Sequence, residues 1–295
     1  MQTPSTVDAG RVSLAYETFG SPDDPPMVLV MGVASQMLVW PDRFCQALAD
    51  EGFHVIRFDN RDIGLSTHLD ELGVPDMVAL LTGQSKEAPY VLADMADDTA
   101  GLLDALGLDR VHLVGLSMGG MIAQEVAIRH PERLISLTSV MSTPAAHIGK
   151  PTDAAAATLM WPSPKTEAEA GDLAVNVYRV VGSTDYPQDV AWVRAVGEES
   201  FRRSSSSAGK VRQFAAILVS PDRRSGLREL AVPTLVLHGE DDPLIQVEGG
   251  HETAAAVPGA RLVTYPGMGH DLPEELWPTL VGEITEHART AGKES

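Results

Sequence analysis

Cysteine is nearly absent from this 295-residue chain, Cys45 being the only one. No intrachain disulfide can form, and no cysteine cluster can hold a metal. Cys45 falls in the amphipathic stretch Asp42-Arg43-Phe44-Cys45-Gln46-Ala47-Leu48 and reads as a small core hydrophobe. Positive charge is scarce as well. Lys and Arg number 22 against 41 Asp and Glu, a formal net charge of −19. Such a surface repels phosphate backbones and anionic lipid heads, so no nucleic-acid or membrane-surface partner is expected. Its plain consequence is a self-repelling exterior that stays dispersed. Apolar runs such as residues 27–31 are far too short to span a bilayer. The opening Met1-Gln2-Thr3-Pro4-Ser5-Thr6 lacks the basic and apolar regions of a secretory signal, and a cytoplasmic location is expected. There is no H-E-x-x-H pattern and no internal repeat, and neither a metal nor another cofactor is expected.

What remains is an ordinary globular composition, 44% hydrophobic and 21% charged, long enough to bury a sizeable core. Residues 11–19 alternate with strand period, and residues 27–31, 54–58, 111–114, 134–140, 234–237 and 261–265 read as further strands, several of them continuously apolar. Helical spacing fills most of the intervals, at residues 41–51, 91–106, 118–130, 248–257 and 273–291. Alternation of this kind predicts an α/β fold, a mostly parallel sheet with helices on both faces. Between residues 144 and 230 the alternation breaks. Helical patterns at 168–181, 189–202 and 210–219 occur there without a convincing strand, which predicts a helical cap (144–230) inserted into a core made of 1–143 and 231–295. Ser204-Ser205-Ser206-Ser207 reads as a loop between cap helices.

Gly115-Leu116-Ser117-Met118-Gly119 matches the G-x-S-x-G nucleophile elbow. By composition alone the pattern arises in roughly one chain in ten of this length, so its position between an apolar strand and a helix carries the weight. A serine on so sharp a turn needs small neighbours, and it projects near a helix N-terminus that favours an oxyanion. It also needs a base and an acid to orient the base, in the chain order Ser, Asp or Glu, His. His238-Gly239-Glu240-Asp241-Asp242-Pro243 follows one late strand, and Pro266-Gly267-Met268-Gly269-His270 follows the next. His270 is therefore the expected base. Asp241 and Asp242 compete for the acid role, since adjacent loop residues point different ways, and Asp242 is assigned. The backbone N–H groups of Met118 and Val33 are the expected oxyanion donors. His54, His112 and His238 sit at strand positions and read as packing residues.

These residues resemble the α/β-hydrolase fold family over nearly the whole chain. Within it the chain is similar to the serine-esterase branch containing aclacinomycin methylesterase. The phrases that carry the resemblance are Val30-Met31-Gly32 with Trp40-Pro41, Arg57-Phe58-Asp59-Asn60-Arg61-Asp62-Ile63-Gly64-Leu65-Ser66, residues 115–120, and Pro266-Gly267-Met268-Gly269-His270. Met31 stands where most relatives carry His, which removes a side-chain donor beside the oxyanion loop. Asp62 stands where most carry Gly. The resemblance implies a helical cap over the site and hydrolysis of carboxylic esters through an acyl-enzyme. The expected substrate is a small-molecule ester of small to medium apolar or aromatic character, including methyl esters of natural products. Trp40, Met160, Trp161, Trp192, Phe214, Leu218 and Met268 are the candidate pocket residues. A lactonase, thioesterase or cofactor-free perhydrolase would retain the same triad, and a ligand receptor could retain the scaffold. Both a monomer and a homodimer are compatible with the sequence.

Overall fold

The computed structural model of the chain describes residues 4–294. Eight strands form one sheet in the order β1-β2-β4-β3-β5-β6-β7-β8: β1 (Ser5–Asp8), β2 (Ser13–Phe19), β3 (Pro26–Val30), β4 (His54–Phe58), β5 (Val111–Leu116), β6 (Leu134–Val140), β7 (Thr234–Gly239) and β8 (Arg261–Tyr265). The pairings among β3 to β8 are parallel, while β2 joins β1 and β4 antiparallel. Strand β1 was not foreseen from sequence. It is four residues long and mostly exposed, so it lacks the apolar run that marks a buried strand.

The helices in chain order are α1 (Asp42–Asp50), α2 (Met77–Leu81), α3 (Leu92–Ala105), α4 (Met118–Arg129), α5 (Asp153–Leu159), α6 (Glu167–Val181), α7 (Val190–Arg203), α8 (Ala208–Val219), α9 (Arg224–Leu227), α10 (Glu248–Ala256) and α11 (Trp277–Glu294). Alternate residues of β3 show why both sheet faces must be covered. Val28 and Val30 pack into a core shared with α3 and α4, whereas Met27 and Leu29 pack into a second core with α1 and α11. Strand β5 lies at the centre and is buried at every residue. Cys45 is fully buried in the second core, and burial pushes its thiol up to about 12, so it behaves as a hydrophobe.

The chain runs from β3 to β4 on one side and places β5 to β8 on the other. Loops at the carboxyl ends of β3 and β5 therefore diverge, leaving the crevice in which open α/β sheets place their sites.

Helices α5 to α9 lie between β6 and β7. The C-terminal end of the 144–230 span packs on α4. Gly226 of α9 stands so close to α4 that an added Cβ would meet Ile128 at 2.9 Å, and Arg223 donates to Gln124 at 3.0 Å. Helices α6 and α7 pack on each other, and α7 and α8 carry two arginines that reach buried acids after β4. Arg203 meets Asp59 at 2.6 Å. Arg212 holds Asp62 through Nε–Oδ2 at 2.8 Å and Nη2–Oδ1 at 2.6 Å, both residues having no exposed surface.

Candidate active site

Ser117 sits between the end of β5 and the first turn of α4 with φ +59° and ψ −123°. A non-glycine residue there carries about 1–3 kcal/mol of strain, tolerated because the surroundings fix it. Its N–H donates to Val140 O at 2.9 Å, and its carbonyl accepts from Ser142 Oγ at 2.7 Å. The flanking glycines are required by close approach. A Cβ on Gly119 would lie 2.0 Å from Val30 O, and one on Gly115 would lie 2.2 Å from Gly119 O. Gly119→Ala is therefore expected to destabilise the fold by about 1–3 kcal/mol or more, read as a lowered midpoint in chemical denaturation. An unchanged midpoint would mean that the elbow can open at no cost.

His270 reaches the same point from the loop after β8. Its Nε2 lies 3.0 Å from Ser117 Oγ, and its Nδ1 lies 2.6 Å from Asp242 Oδ2. The other carboxylate oxygen of Asp242 accepts from the N–H groups of Leu244 and Ile245 at 2.8 and 2.9 Å, which fixes its rotamer. Ser117 and Asp242 are both buried. The neighbouring Asp241 faces elsewhere: its Oδ2 accepts from Gly267 N at 3.0 Å and so braces the turn that carries His270. The cap braces the same turn. His270 N donates to Val181 O at 2.7 Å, and Gly269 N donates to Ser183 Oγ at 2.9 Å. Asp271 then accepts from Ser183 N at 2.9 Å. His238 is fully buried and makes a 2.7 Å contact to Ile245 O; burial holds its imidazole below the usual histidine range. His112 is buried too, and burial pushes it down to about 4.

The turn after β3 stands against the serine. A Cβ on Gly32 would lie 3.0 Å from Ser117 Cβ. Val33, next in the chain, lies between two clamps. Asn60 Nδ2 donates to Met31 O at 2.9 Å, and Ala34 N, at φ +58°, donates to Gln213 Oε1 at 2.9 Å. Gln213 is fully buried on α8, and its Nε2 donates to Arg61 O at 2.8 Å. One side chain of the cap thus ties the turn after β3 to the loop after β4. Asn60 and Gln213 were not foreseen as site residues. The available signal was a glutamine at an inward position of α8, between Arg212 and Phe214.

A cavity of about 360 Å³ opens over Ser117 and His270, of a size for a small to medium ligand. Of the expected pocket residues, Trp192 and Phe214 line it, and so does Val33, the expected oxyanion donor. The others do not. Trp40 is fully buried and stacks on Phe44 at 5.9 Å, and Met268 is buried in the second core. Met160 is 61% exposed on the cap, and Trp161 and Leu218 lie outside the cavity wall. A larger cleft of about 490 Å³ beside Arg43, Trp192 and Trp277 includes neither Ser117 nor His270 in its wall.

Comparison with known proteins fits this arrangement. Rhodomycin D methylesterase DauP of Streptomyces sp. (strain C5) is 30% identical, with 95% of this chain and 96% of the relative covered. The corresponding DnrP of Streptomyces peucetius is 29% identical at the same coverage. The enol-lactonase from Burkholderia xenovorans LB400 superposes with a TM-score of 0.76 at 24% identity, covering 97% of this chain and 100% of that one. The family profile for the alpha/beta hydrolase fold matches residues 25–275, and with an elbow serine at the crevice of a sheet of this order, the chain belongs to the α/β-hydrolase fold family.

Proposed function

We propose that the protein is a serine hydrolase that cleaves carboxylic esters through an acyl-enzyme. The observation that carries this reading is the unbroken chain from Asp242 to His270 to Ser117, at 2.6 and 3.0 Å, ending in a cavity. His270 takes the Ser117 proton as Oγ attacks the ester carbonyl, and the imidazolium then gives that proton to the departing alcohol. Asp242 holds the tautomer with Nδ1 protonated. The N–H groups of Val33 and Met118 receive the oxyanion, one from the turn beside Gly32 and one from the first residue of α4. Water repeats the sequence on the acyl group, with His270 again as base.

Two methylesterase relatives at about the same identity support an ester, including a methyl ester, as the substrate. Trp192 and Phe214 in the wall favour an apolar or aromatic portion next to the reacting bond. A panel of p-nitrophenyl esters of graded acyl size, run beside lactones and acyl thioesters, tests the reaction class. Esters should be turned over with a kcat/KM at least tenfold above either of the others. Faster lactone or thioester hydrolysis would move the assignment within the same triad chemistry.

Gln213 has a measurable part in this scheme. Gln213→Ala releases Ala34 N and Arg61 O, leaving the Val33 turn with the Asn60 bond to Met31 O and the local Ser35 bond to Val33 O. It is expected to lower kcat by about ten- to a hundredfold, less than the full loss of an oxyanion donor, with a smaller change in KM. Unchanged kcat would show that the turn keeps its shape without the cap.

A further inference from the structure

The cavity over Ser117 is unlike the rest of the molecule in its charge. Acids outnumber bases 41 to 22 in the chain, yet among the described residues lining this cavity there is no aspartate or glutamate. Besides His270, its one ionisable nitrogen is the amine of Lys210. Lys210 is half-buried, and no carboxylate among the described residues pairs with it. Lysines are rarely withdrawn from water without a partner, because desolvation disfavours the charged form. Burial accordingly lowers the pKa of Lys210.

Its surroundings add to the same field. Lys210 lies in the first turn of α8, where the helix dipole is positive, and the preceding Ser207 makes no side-chain cap bond. Ser204, Ser205, Ser206 and Ser207 line the cavity next to it, bringing hydroxyl donors. Phe214 lines the wall one helical turn further along, about 5–6 Å away along the axis. Gln213, beside Phe214, is bonded to the Val33 turn. Lys210 thus shares one cavity wall with Ser117 and His270, and Phe214 adds an apolar group to that wall.

We propose that the substrate is an ester bearing a separate carboxylate, several atoms from the scissile carbonyl, and that Lys210 with the 204–207 hydroxyls binds that carboxylate. This specificity rests on the ester-hydrolase reading above. An incoming carboxylate supplies the partner that Lys210 lacks and replaces its lost hydration with charge-assisted hydrogen bonds.

The test compares p-nitrophenyl butyrate with mono-p-nitrophenyl glutarate and adipate, in the wild type and in Lys210→Met and Lys210→Glu. The wild type should favour the anionic esters in kcat/KM by about tenfold or more, mainly through KM, and lose that preference with added salt. Lys210→Met should bring the anionic-to-neutral ratio near unity, and Lys210→Glu should invert it. A wild type without the preference, or a preference that survives Lys210→Met, overturns the proposal. Calorimetric binding of free adipate gives a readout independent of turnover. Wild type should bind it at least tenfold more tightly than Lys210→Met, and equal binding overturns the proposal even if hydrolysis succeeds. Failure to cleave any ester, with adipate binding intact and dependent on Lys210, would instead count against the hydrolase reading alone.

Discussion

Replacing Ser117 by alanine is expected to lower kcat for a p-nitrophenyl ester by roughly 10⁴–10⁶ while leaving the fold intact. The loss should be this large because Ser117 Oγ is the hydroxyl that His270 Nε2 meets, at 3.0 Å. Ser142, after β6, donates its proton to the Ser117 carbonyl. What survives would come from the oxyanion donors and from binding, neither of which needs Oγ. KM should change little, since the hydroxyl contributes almost nothing to the cavity wall beyond its contact with His270. The fold should persist because alanine keeps the Cβ at φ +59° and removes only one atom. Steady-state kinetics with matched far-ultraviolet circular dichroism checks both halves. A loss below tenfold would remove Ser117 from the chemistry, and a collapsed spectrum would make the kinetic loss uninformative.

The second large effect concerns stability. Arg212→Met should cost about 3–5 kcal/mol, because it leaves the carboxylate of Asp62 buried without its cation. Asp62 is held from several sides. Arg212 meets it with two bonds, Leu69 N donates to Oδ1 at 2.7 Å, and the Tyr90 hydroxyl donates to Oδ2 at 2.8 Å. Burial works to raise its pKa, but these bonds win and hold the carboxyl below the usual carboxylate range. A depressed folded-state pKa gives stability that is fully present above the unfolded value and is lost as pH falls through the folded one. The contribution of this group should therefore fade below about pH 4.

At neutral pH, urea denaturation should show the full deficit in Arg212→Met. The double variant Asp62→Asn/Arg212→Met should recover much of it, since replacing both partners removes the stranded charge. Additive losses would mean that the pair does not act as a unit. Asp59 makes a useful contrast. Arg203 approaches it at 2.6 Å, but burial prevails and raises its pKa. Its ion pair compensates desolvation less completely, so Arg203→Met should cost less than Arg212→Met.

Asp62 also bears on what could be read in advance. Its φ of +70° is one that glycine adopts without strain, and Arg212 explains what an aspartate adds here. The sequence around residue 62 carries the resemblance but not its partner, which lies 150 residues away on the cap. The same division runs through the whole molecule. Seven of the eight strands and the large core helices were legible, because each buries a face whose period is written locally. Ser117 was legible because the elbow is a local device of two glycines between a strand and a helix. Asp242 and His270 followed from chain order and from their places after β7 and β8.

The pocket was not legible in that way. Met160 and Trp161 sit in an apolar-looking stretch, but the cap turns Met160 outward. Trp40 looked equally suited and went into the second core against Phe44. Which face of a cap helix looks inward depends on how α6, α7 and α8 rest on the core. That arrangement is fixed by long-range partners such as Asp59 with Arg203, Asp62 with Arg212 and Ala34 with Gln213. None of these pairs has a spacing signature. The polar wall of Ser204 to Ser207 and Lys210 was likewise invisible, since a serine run reads from sequence only as a loop.

Covalent capture tests most directly whether Ser117 is the activated nucleophile. The full chain should react with a fluorophosphonate to a stoichiometry of one, with the adduct mapped to the peptide containing Ser117. His270→Ala should slow the labelling by at least a hundredfold. An adduct on another residue, or a Ser117→Ala protein that is still labelled and still hydrolyses esters, would contradict the account.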